Sequence, residues 1–379
     1  MTGNGNGRQT SGLFSPVQLG PHLLPNRIVM APMSRRRADG HGVPGPLTAT
    51  YYAQRATAGL IVTEAAHVSP EGMGPPGSPG MHTEDQAIGW RRVTRAVHAA
   101  GGRIFLQLWH VGRISHPSMQ PQGQVPVAPS AIRAEVEVVT PQGKQQPVTP
   151  RPLREEEIAM LVEAFGRAAR LAHEAEFDGV DIHAGNGYLI DQFLRDGANQ
   201  RTDAYGGSAD NRARFLLEIT RAVALVWGPE RIGVRISPLS SHNGMRDSDP
   251  FATFTYVAKA LAQRGVGYLH VVEHGVDHPR STPLGLRMLQ ELRSIFRGRL
   301  AVDGGLSGAS AERALTGIGA DLVALATPFI ANPDLVDRLA WRLPLASPDP
   351  TTFYVGGERG YVDYPISGRR VAPGTRSKV

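Results

Sequence analysis

The chain has 379 residues, of which 41% are apolar and 20% charged, so it can bury the core of one large barrel or of two medium domains. Its formal net charge is +6, but the basic residues are scattered and do not form the basic face with interleaved aromatics that nucleic-acid binding requires. The absence of cysteine excludes disulfides, thiolate catalysis and cysteine-ligated metals, and it is typical of a cytoplasmic protein.

The two ends of the chain are predicted to be flexible tails around one domain. Residues 1–12 are rich in Gly, Asn, Thr and Ser and contain no apolar run of the kind found in signal peptides. No apolar run approaches the ~20 residues of a membrane span, so we expect no membrane partner. The predicted boundaries are 1–12 for the N-terminal tail, 13–368 for the domain and 369–379 for the C-terminal tail.

Between the tails, short β-branched runs alternate with segments of helical periodicity. The predicted strands cover residues 27–31, 60–64, 104–108, 177–183, 232–236, 268–272, 300–303 and 322–325. The predicted helices cover residues 47–57, 84–100, 158–172, 211–227, 254–263, 284–296, 309–315 and 333–342. Thr83 and Gln86 have the spacing of a capping box at the start of the second helix.

The strict alternation of strands and helices predicts a parallel sheet with right-handed crossovers. Eight such units favour a single closed (β/α)₈ TIM barrel over an open doubly wound sheet. No GxGxxG pattern stands at a strand-to-helix turn, which weakens the dinucleotide-binding alternative. Residues 113–151 show no period, and a loop of this length inside a compact fold is expected to cover or shape a site.

The site of such a barrel lies where its strands end. His183, Asn186 and Tyr188 follow the fourth strand, and the glycines on either side of Asn186 permit tight turns. These residues alone divide evenly between an active-site wall and an ordinary strand-to-loop junction with a hydrogen-bonded histidine. The other strand ends supply Ser34, Glu64, Gln107, His110, Arg235, Glu273, Asp303 and Thr327.

The polar residues at the strand ends exclude some kinds of site. His110, His183 and His274 have no carboxylate at the spacing of a metal ligand set, so we predict no metal site. No GxSxG motif is present, which argues against a serine hydrolase. The amide, guanidinium and imidazole donors that remain suit a planar, anionic cofactor with a polar edge.

Six patterns follow one another along the chain and together carry a resemblance. They are Val29 to Arg35 with Ala31-Pro32-Met33-Ser34, Gln107-Leu108-Trp109-His110, His183-x-x-Asn186-x-Tyr188, Arg201 to Phe215 with Tyr205-Gly206-Gly207-Ser208, Ile330-Ala331-Asn332-Pro333, and Gly360-Tyr361-x-Asp363-Tyr364-Pro365. From about Leu13 to Pro365 the chain resembles the old yellow enzyme family. The resemblance implies an FMN-dependent (β/α)₈ ene-reductase that uses NADPH or NADH. Hydride would pass through flavin to the activated C=C bond of an α,β-unsaturated carbonyl compound, a small-molecule substrate. Homo-oligomer formation is left open.

The resemblance also implies which residues bind the flavin. Gln107 would hydrogen-bond the pyrimidine edge, and Arg235 would lie near N1 and O2, where its charge stabilises the reduced ring. Ser34 stands where the family usually has Thr, whose hydroxyl bonds flavin O4, and Ala65 would contribute backbone contacts. The other implied cofactor-binding residues are Pro32, Met33, Gly304, Gly305, Ala326 and Thr327.

The implied catalytic residues are those that follow the fourth strand. His183 and Asn186 would donate hydrogen bonds to the carbonyl or nitro oxygen of the acceptor, which makes its β-carbon electrophilic toward hydride. Tyr188 would protonate the α-carbon as a general acid. Trp109 and Tyr354 would shape the acceptor pocket, although plain core or rim packing is the alternative interpretation of both.

One part of the chain departs from the family pattern. After the eighth strand most members have Gly-Arg at the flavin phosphate, whereas this chain has Ala326-Thr327-Pro328. Two readings follow: Thr327 and the turn at Gly304-Gly305 hold FMN more weakly, or stable flavin binding has been lost. The second reading allows a flavin-free acid/base enzyme that uses His183 and Tyr188, or a non-catalytic small-molecule binding protein.

Residues 273–282 form a second loop whose role the pattern leaves open. It contains His274, His278 and Arg280, which would contact substrate or NADPH, or would simply be solvated.

Overall fold

The computed structural model describes residues 12–273 and 282–368, and eight parallel strands form the centre of this part of the chain. In chain order they are β1 (Ile28–Met30), β2 (Leu60–Val62), β3 (Ile104–Trp109), β4 (Gly179–His183), β5 (Ile232–Ile236), β6 (Tyr268–Val272), β7 (Arg299–Asp303) and β8 (Leu322–Leu325). Each strand pairs with the next, and β8 pairs with β1, so the sheet closes on itself. The structure confirms the predicted (β/α)₈ barrel.

The strands are buried on both faces, and the two faces differ in chemistry. Every residue of β3, β4 and β5 is buried, as expected when helices cover the outside of a parallel barrel. In β4, Val180 and Ile182 belong to the main apolar core, whereas Asp181 and His183 alternate with them. Because successive side chains point to opposite faces of a strand, both polar residues face the barrel interior.

Eight helices of this part of the chain surround the strands. They are α1 (Pro46–Ala53), α2 (Glu84–Ala99), α3 (Glu155–Glu174), α4 (Ala209–Trp227), α5 (Pro250–Gln263), α6 (Pro283–Ile295), α7 (Gly308–Arg313) and α8 (Leu335–Ala340). The predicted capping box opens α2: the Gln86 N–H donates to Thr83 Oγ1 over 3.3 Å, and the Thr83 N–H donates to Gln86 Oε1 over 3.2 Å. The turn after α2 contains Gly101 at φ 82°, a left-handed conformation that glycine adopts without strain.

Several short elements have no counterpart in the sequence prediction. The strands Val17–Leu19 and His22–Leu24 form an antiparallel hairpin. Its buried residues Val17, Leu19 and Leu24 pack with apolar residues of the barrel, including Phe105 and Tyr268. Short helices at Leu189–Leu194 and Thr327–Ala331 follow β4 and β8. Elements of two to six residues are too short to show a period, so periodicity could not detect them.

The long segment at 113–151 is more ordered than its sequence indicates. It contains a hairpin of Val138–Thr140 with Gly143–Gln145, and a parallel pair of Val127–Ala128 with Arg151–Pro152. Among the described helices, none is long and apolar enough to cross a membrane. Nearly all of the predicted N-terminal tail, the whole C-terminal tail, and His274, His278 and Arg280 lie outside the described residues.

Candidate active site

A pocket of about 300 Å³ opens at the C-terminal ends of the barrel strands. Small-molecule pockets usually hold roughly 300–1,000 Å³, so this volume lies at the lower end of that range. The pocket is lined by Pro32, Met33, Ser34, Ala65, Gln107, Trp109, His183, Asn186, Tyr188, Arg235, Ala326, Thr327, Ile330, Phe353 and Tyr354.

Most of the residues predicted for the site therefore lie around one pocket. Within the described ranges, Gly304 and Gly305 are the predicted residues that do not line it. They follow β7 with φ angles of 143° and 75°, so this turn has the backbone conformation that glycine favours. Ile330 and Phe353 line the pocket although the sequence did not single them out for it. No residue of the loop 113–151 lines it, although Ile114 packs against the cluster that contains the pocket residues Ala65 and Trp109, so the prediction that this loop covers or shapes the site stays a prediction.

Tyr188 lies between two other rings of the pocket wall. Its ring centroid is 4.8 Å from that of Trp109 and 5.1 Å from that of His183, and both contacts are edge-on. A Cβ at Gly74 would lie 2.2 Å from Trp109 Cη2, so only glycine there leaves room for the indole. The Tyr188 hydroxyl is thus carried on a ring whose orientation is fixed by packing.

The backbone that carries Asn186 and Tyr188 is held by residues for which no role was predicted from the sequence. Asn186 has φ 56°, a left-handed conformation that Asn tolerates better than most residues. Its N–H donates to Ser237 Oγ over 2.7 Å, and the Gly187 N–H donates to Asp191 Oδ2 over 2.8 Å. Gln192 Nε2 donates to the Gly187 carbonyl over 2.7 Å. The short helix 189–194 therefore fixes the turn that aims the pocket residues.

His183 presents a defined donor to the pocket. Its Nδ1 faces the Gly185 N–H at 3.4 Å, a long contact in which the ring nitrogen is the acceptor. Burial, with the nearby charge of Arg235, lowers the pKa of His183 well below its ordinary value. The ring is therefore neutral at neutral pH, with its proton on Nε2, so that Nε2–H is a donor.

Tyr188 keeps its proton across the same pH range. The ring is half-buried because one side opens on the pocket, yet enough protein surrounds it that desolvation raises its pKa. The charge of Arg235 and the side chain of Asn243 oppose this effect only in part. A protonated phenol is the state that a general acid requires.

The floor of the pocket is formed by two residues that aspartates hold in place. Gln107 Nε2 donates to Asp181 Oδ1 over 2.7 Å, and Arg235 Nη2 donates to Asp303 Oδ2 over 2.7 Å. Arg235 Nε is buried and has no hydrogen-bond partner in the described chain, which is costly unless a ligand accepts from it. Asp181 was not predicted to belong to the site, because it lies inside an apolar strand. A charged residue in such a strand was nevertheless a signal that could have identified it.

The C-terminal segment reaches the pocket because arginines near β1 bind its backbone. Arg35 is fully buried; its Nη2 donates to the Gly360 carbonyl over 2.9 Å and its Nε to the Phe353 carbonyl over 3.1 Å. Arg37 lies 4.3 Å from the Tyr361 ring centroid. These contacts place Phe353 and Tyr354 at the pocket, more than 300 residues along the chain from Arg35. Sequence periodicity carries no signal for such contacts.

The rim of the pocket near β8 is uncharged. Thr327 is exposed at the start of the short helix Thr327–Ala331, and Ala326 beside it is half-buried. Among the described residues that line the pocket, Arg235 is the one cationic side chain, and it already forms an ion pair with Asp303. The rim therefore offers a hydroxyl and backbone groups where an arginine would offer charge.

Two buried histidines, His67 and His110, should make the free energy of unfolding decrease in acid. Burial lowers the pKa of His67 and of His110 to about 3, and in His67 the nearby His82 adds to the effect. An unfolded histidine binds a proton near pH ~6.5, so between these values the unfolded state binds more protons and stability decreases as the pH falls.

From pH 7 to pH 5, the free energy of unfolding is expected to fall by about 2 kcal/mol for each of these histidines. Urea unfolding at both pH values measures the decrease. His67→Gln removes one of the two groups, so its decrease should be smaller by about 2 kcal/mol. Equal decreases in the variant and the parent chain would rule out a neutral, buried His67.

The described residues contain no group of His, Asp or Glu side chains able to hold a metal ion.

Comparison with known proteins identifies relatives over almost the whole chain. The model of the NADH:flavin oxidoreductase / NADH oxidase family matches residues 12–346. 12-Oxophytodienoate reductase 7 of Oryza sativa subsp. japonica is 43% identical, with 94% of this chain and 95% of the relative covered. Chanoclavine-I aldehyde reductase of Penicillium roqueforti is 42% identical, with 94% and 96% covered. The structure of morphinone reductase in complex with tetrahydroNAD is 47% identical and superposes with a TM-score of 0.89, with 95% of this chain and 99% of that one covered.

Proposed function

This chain belongs to the NADH:flavin oxidoreductase / NADH oxidase family, and from that premise we propose which of its residues carry the chemistry. The chain is an FMN-dependent oxidoreductase that takes hydride from NADH or NADPH and reduces the activated C=C bond of an α,β-unsaturated carbonyl compound. The proposed residue roles rest on one observation: the implied catalytic residues line the same pocket as the implied flavin contacts, apart from Gly304 and Gly305. Nothing in the comparisons favours the flavin-free or non-catalytic alternatives.

The residues of the pocket fit the polar edge of a flavin ring. Because the carboxylate of Asp181 can only accept, the Gln107 amide must direct an N–H toward it, which leaves its carbonyl oxygen for an N–H of the ligand. The buried, unpartnered Nε of Arg235 offers a donor and a positive charge at the same floor. Ser34 adds a hydroxyl. An acceptor, a donor and a cation together match a ring with imide groups that gains negative charge when it is reduced.

FMN, which Gln107, Arg235 and Ser34 would hold, would supply the transfer of hydride from NADH or NADPH to the acceptor. The chain itself binds and polarises the acceptor. His183 Nε2–H and the Asn186 side chain would donate to the acceptor oxygen, where negative charge develops as hydride reaches the β-carbon. Tyr188 would give its phenolic proton to the α-carbon. Trp109 and Tyr354 would hold the acceptor over the pocket floor and limit access of water.

The test is a product analysis with a minimal acceptor. Purified protein is mixed anaerobically with FMN, NADPH and 2-cyclohexenone, and the product is identified by gas chromatography. We expect cyclohexanone, formed only when both FMN and the nicotinamide are present. Cyclohexanone itself is the matched control, because it has the carbonyl without the C=C bond and should not be reduced. Formation of an alcohol, or turnover that does not depend on FMN, would contradict the proposal.

The uncharged rim makes a separate prediction about cofactor affinity. Barrels of this type commonly bind phosphate with the loops after strands 7 and 8, which is where Thr327 lies. Thr327→Arg should tighten FMN binding by roughly 10- to 100-fold, because a charge-assisted hydrogen bond contributes about 1.5–3 kcal/mol. Fluorescence titration of the flavin-free protein measures the dissociation constant.

Riboflavin provides the control for this change because it has the same ring and ribityl chain without the phosphate. Its affinity should be the same for Thr327→Arg and the parent chain. Equal gains for riboflavin and FMN would show that the new side chain does not act on the phosphate.

A further inference from the structure

A network of charged and polar side chains runs through the barrel interior beneath the pocket. It joins five consecutive strands, β3 to β7, through Gln107, Asp181, His270, Asp303 and Arg235. The two end members line the pocket, whereas His270 in the middle is completely buried. The proposed function gives a role to the two ends of this network, Gln107 and Arg235, and none to His270 at its centre.

Each end of this network is held by a carboxylate, which can only accept hydrogen bonds. Asp181 accepts from Gln107 Nε2 at Oδ1 and from the Tyr268 hydroxyl at Oδ2, both over 2.7 Å. Asp303 accepts from Arg235 Nη2 over 2.7 Å. The direction of the Gln107 amide and the position of the Arg235 guanidinium at the pocket floor therefore depend on both aspartates being ionised.

His270 lies between the two carboxylates. Its Nδ1 is 3.6 Å from Asp181 Oδ2 and its Nε2 is 3.6 Å from Asp303 Oδ2, which are ion-pair distances that exceed those of direct hydrogen bonds. A neutral imidazole would turn a lone pair toward one of the carboxylates, whereas an imidazolium presents an N–H to each. Burial alone would lower the pKa of His270, but the two carboxylates outweigh it and raise the pKa, against the opposing charge of Arg235.

The charges of this side-chain network balance only if both ring nitrogens of His270 carry a proton. Two aspartates then face two cations, His270 and Arg235, and all four side chains are buried. The pKa of Asp303 falls to about 2 because His270 and Arg235 outweigh the effect of burial. The other titratable groups nearby are Tyr268 and His183, and both are uncharged at neutral pH, since burial raises the pKa of Tyr268 and lowers that of His183. Without the imidazolium, the floor beneath the pocket would carry one uncompensated negative charge.

We propose that His270 is a positioning residue: as an imidazolium between Asp181 and Asp303, it neutralises the pocket floor and thereby sets the reduction potential of the bound flavin. This inference rests on the proposed function. Reduction adds negative charge to the ring that Gln107 and Arg235 contact, so a floor with one extra negative charge disfavours reduction. His270 acts on the ring through Asp303 and Arg235 on one side and through Asp181 and Gln107 on the other.

The experiment measures the midpoint potential of bound FMN by anaerobic equilibration with a reference dye. His270→Gln removes the charge but keeps a polar side chain, and we expect at least a tenfold loss in the equilibrium preference for reduced flavin, equivalent to a decrease of about 30 mV for two electrons. Tyr268→Phe is the matched control, because it removes a buried hydrogen bond to the same Asp181 without changing charge. In Tyr268→Phe, the equilibrium preference for reduced flavin should stay within a factor of about two of that in the parent protein.

A second variant gives a result of opposite sign and keeps the test valid if His270→Gln does not fold. Asp303→Asn leaves Arg235 without its carboxylate partner, so the potential should rise. In the flavin-free protein, nitrogen NMR of isotope-labelled histidine should show both ring nitrogens of His270 protonated at neutral pH. An unchanged potential in His270→Gln, shifts of the same sign in both variants, or a neutral His270 ring would overturn the inference. A protein that binds no flavin overturns the proposed function as well, whereas one that binds flavin with an unshifted potential overturns this inference alone.

Discussion

Tyr188→Phe is expected to slow reduction of an enone by about 10²–10⁴-fold while leaving reduction of the flavin by NADPH unchanged, because only the former step needs a proton donor. The substitution removes one oxygen and keeps the ring that packs edge-on against Trp109 and His183. Because burial raises the pKa of Tyr188, the parent enzyme should keep this activity up to the pH at which a phenol ordinarily ionises, ~10.

Stopped-flow absorbance separates the two half-reactions of this variant. Tyr354→Phe is the matched control, because Tyr354 lines the same pocket with a phenol but is half exposed and lies on the C-terminal segment. We expect Tyr354→Phe to change the rate of the enone step only slightly. If the two half-reactions of Tyr188→Phe slow equally, or if Tyr354→Phe produces the larger loss in the enone step, Tyr188 is not the proton donor.

His183→Phe is expected to lower kcat/KM for the enone by about 10²–10³-fold, the usual cost of removing one donor to a developing oxyanion. Phenylalanine keeps a planar ring against Tyr188 but has no Nε2–H. Since burial, with the nearby charge of Arg235, holds the pKa of His183 well below its ordinary value, the ring is neutral and donates at neutral pH. The rate of the enone step should therefore show no inflection near pH ~6.5.

His183→Asn distinguishes the loss of a donor from the loss of shape. Asparagine restores an N–H at the end of β4 but replaces the ring, so it should recover part of the activity that His183→Phe loses. Steady-state kinetics with 2-cyclohexenone, combined with far-UV circular dichroism to verify folding, gives the comparison. If both variants lose the same activity, the donor role of His183 is wrong.

The fold was predictable because its strands and helices differ in period. The runs at 232–236, 268–272 and 322–325 are both predicted strands and observed ones, since each is a β-branched or apolar run bounded by turn residues. The short helix 189–194 was not predictable, because all six of its residues are buried and no polar face marks a helical period. Its Asp191 and Gln192 are the residues that hold the turn at Gly187.

The site was predictable where chemistry stands at a strand end and hidden where it stands inside a strand. His183 ends its strand, Gln107 and Arg235 lie within two residues of the ends of theirs, and barrel geometry brings the three together. His270 lies between Leu269 and Val271 in an apolar strand, where a sequence alone does not show which groups it will face. Tyr354 reaches the pocket through contacts that the distant Arg35 and Arg37 make with the backbone of its neighbours, so resemblance to a family was the guide to it.

The measurement that tests the central claim most directly is an anaerobic spectrum of the purified protein with FMN, followed by one equivalent of NADPH and then excess 2-cyclohexenone. We predict a protein-bound yellow flavin band that survives gel filtration, is bleached by NADPH and returns when the enone is added. A protein that emerges colourless from gel filtration after incubation with FMN, or a reduced flavin that the enone does not reoxidise, would contradict the account.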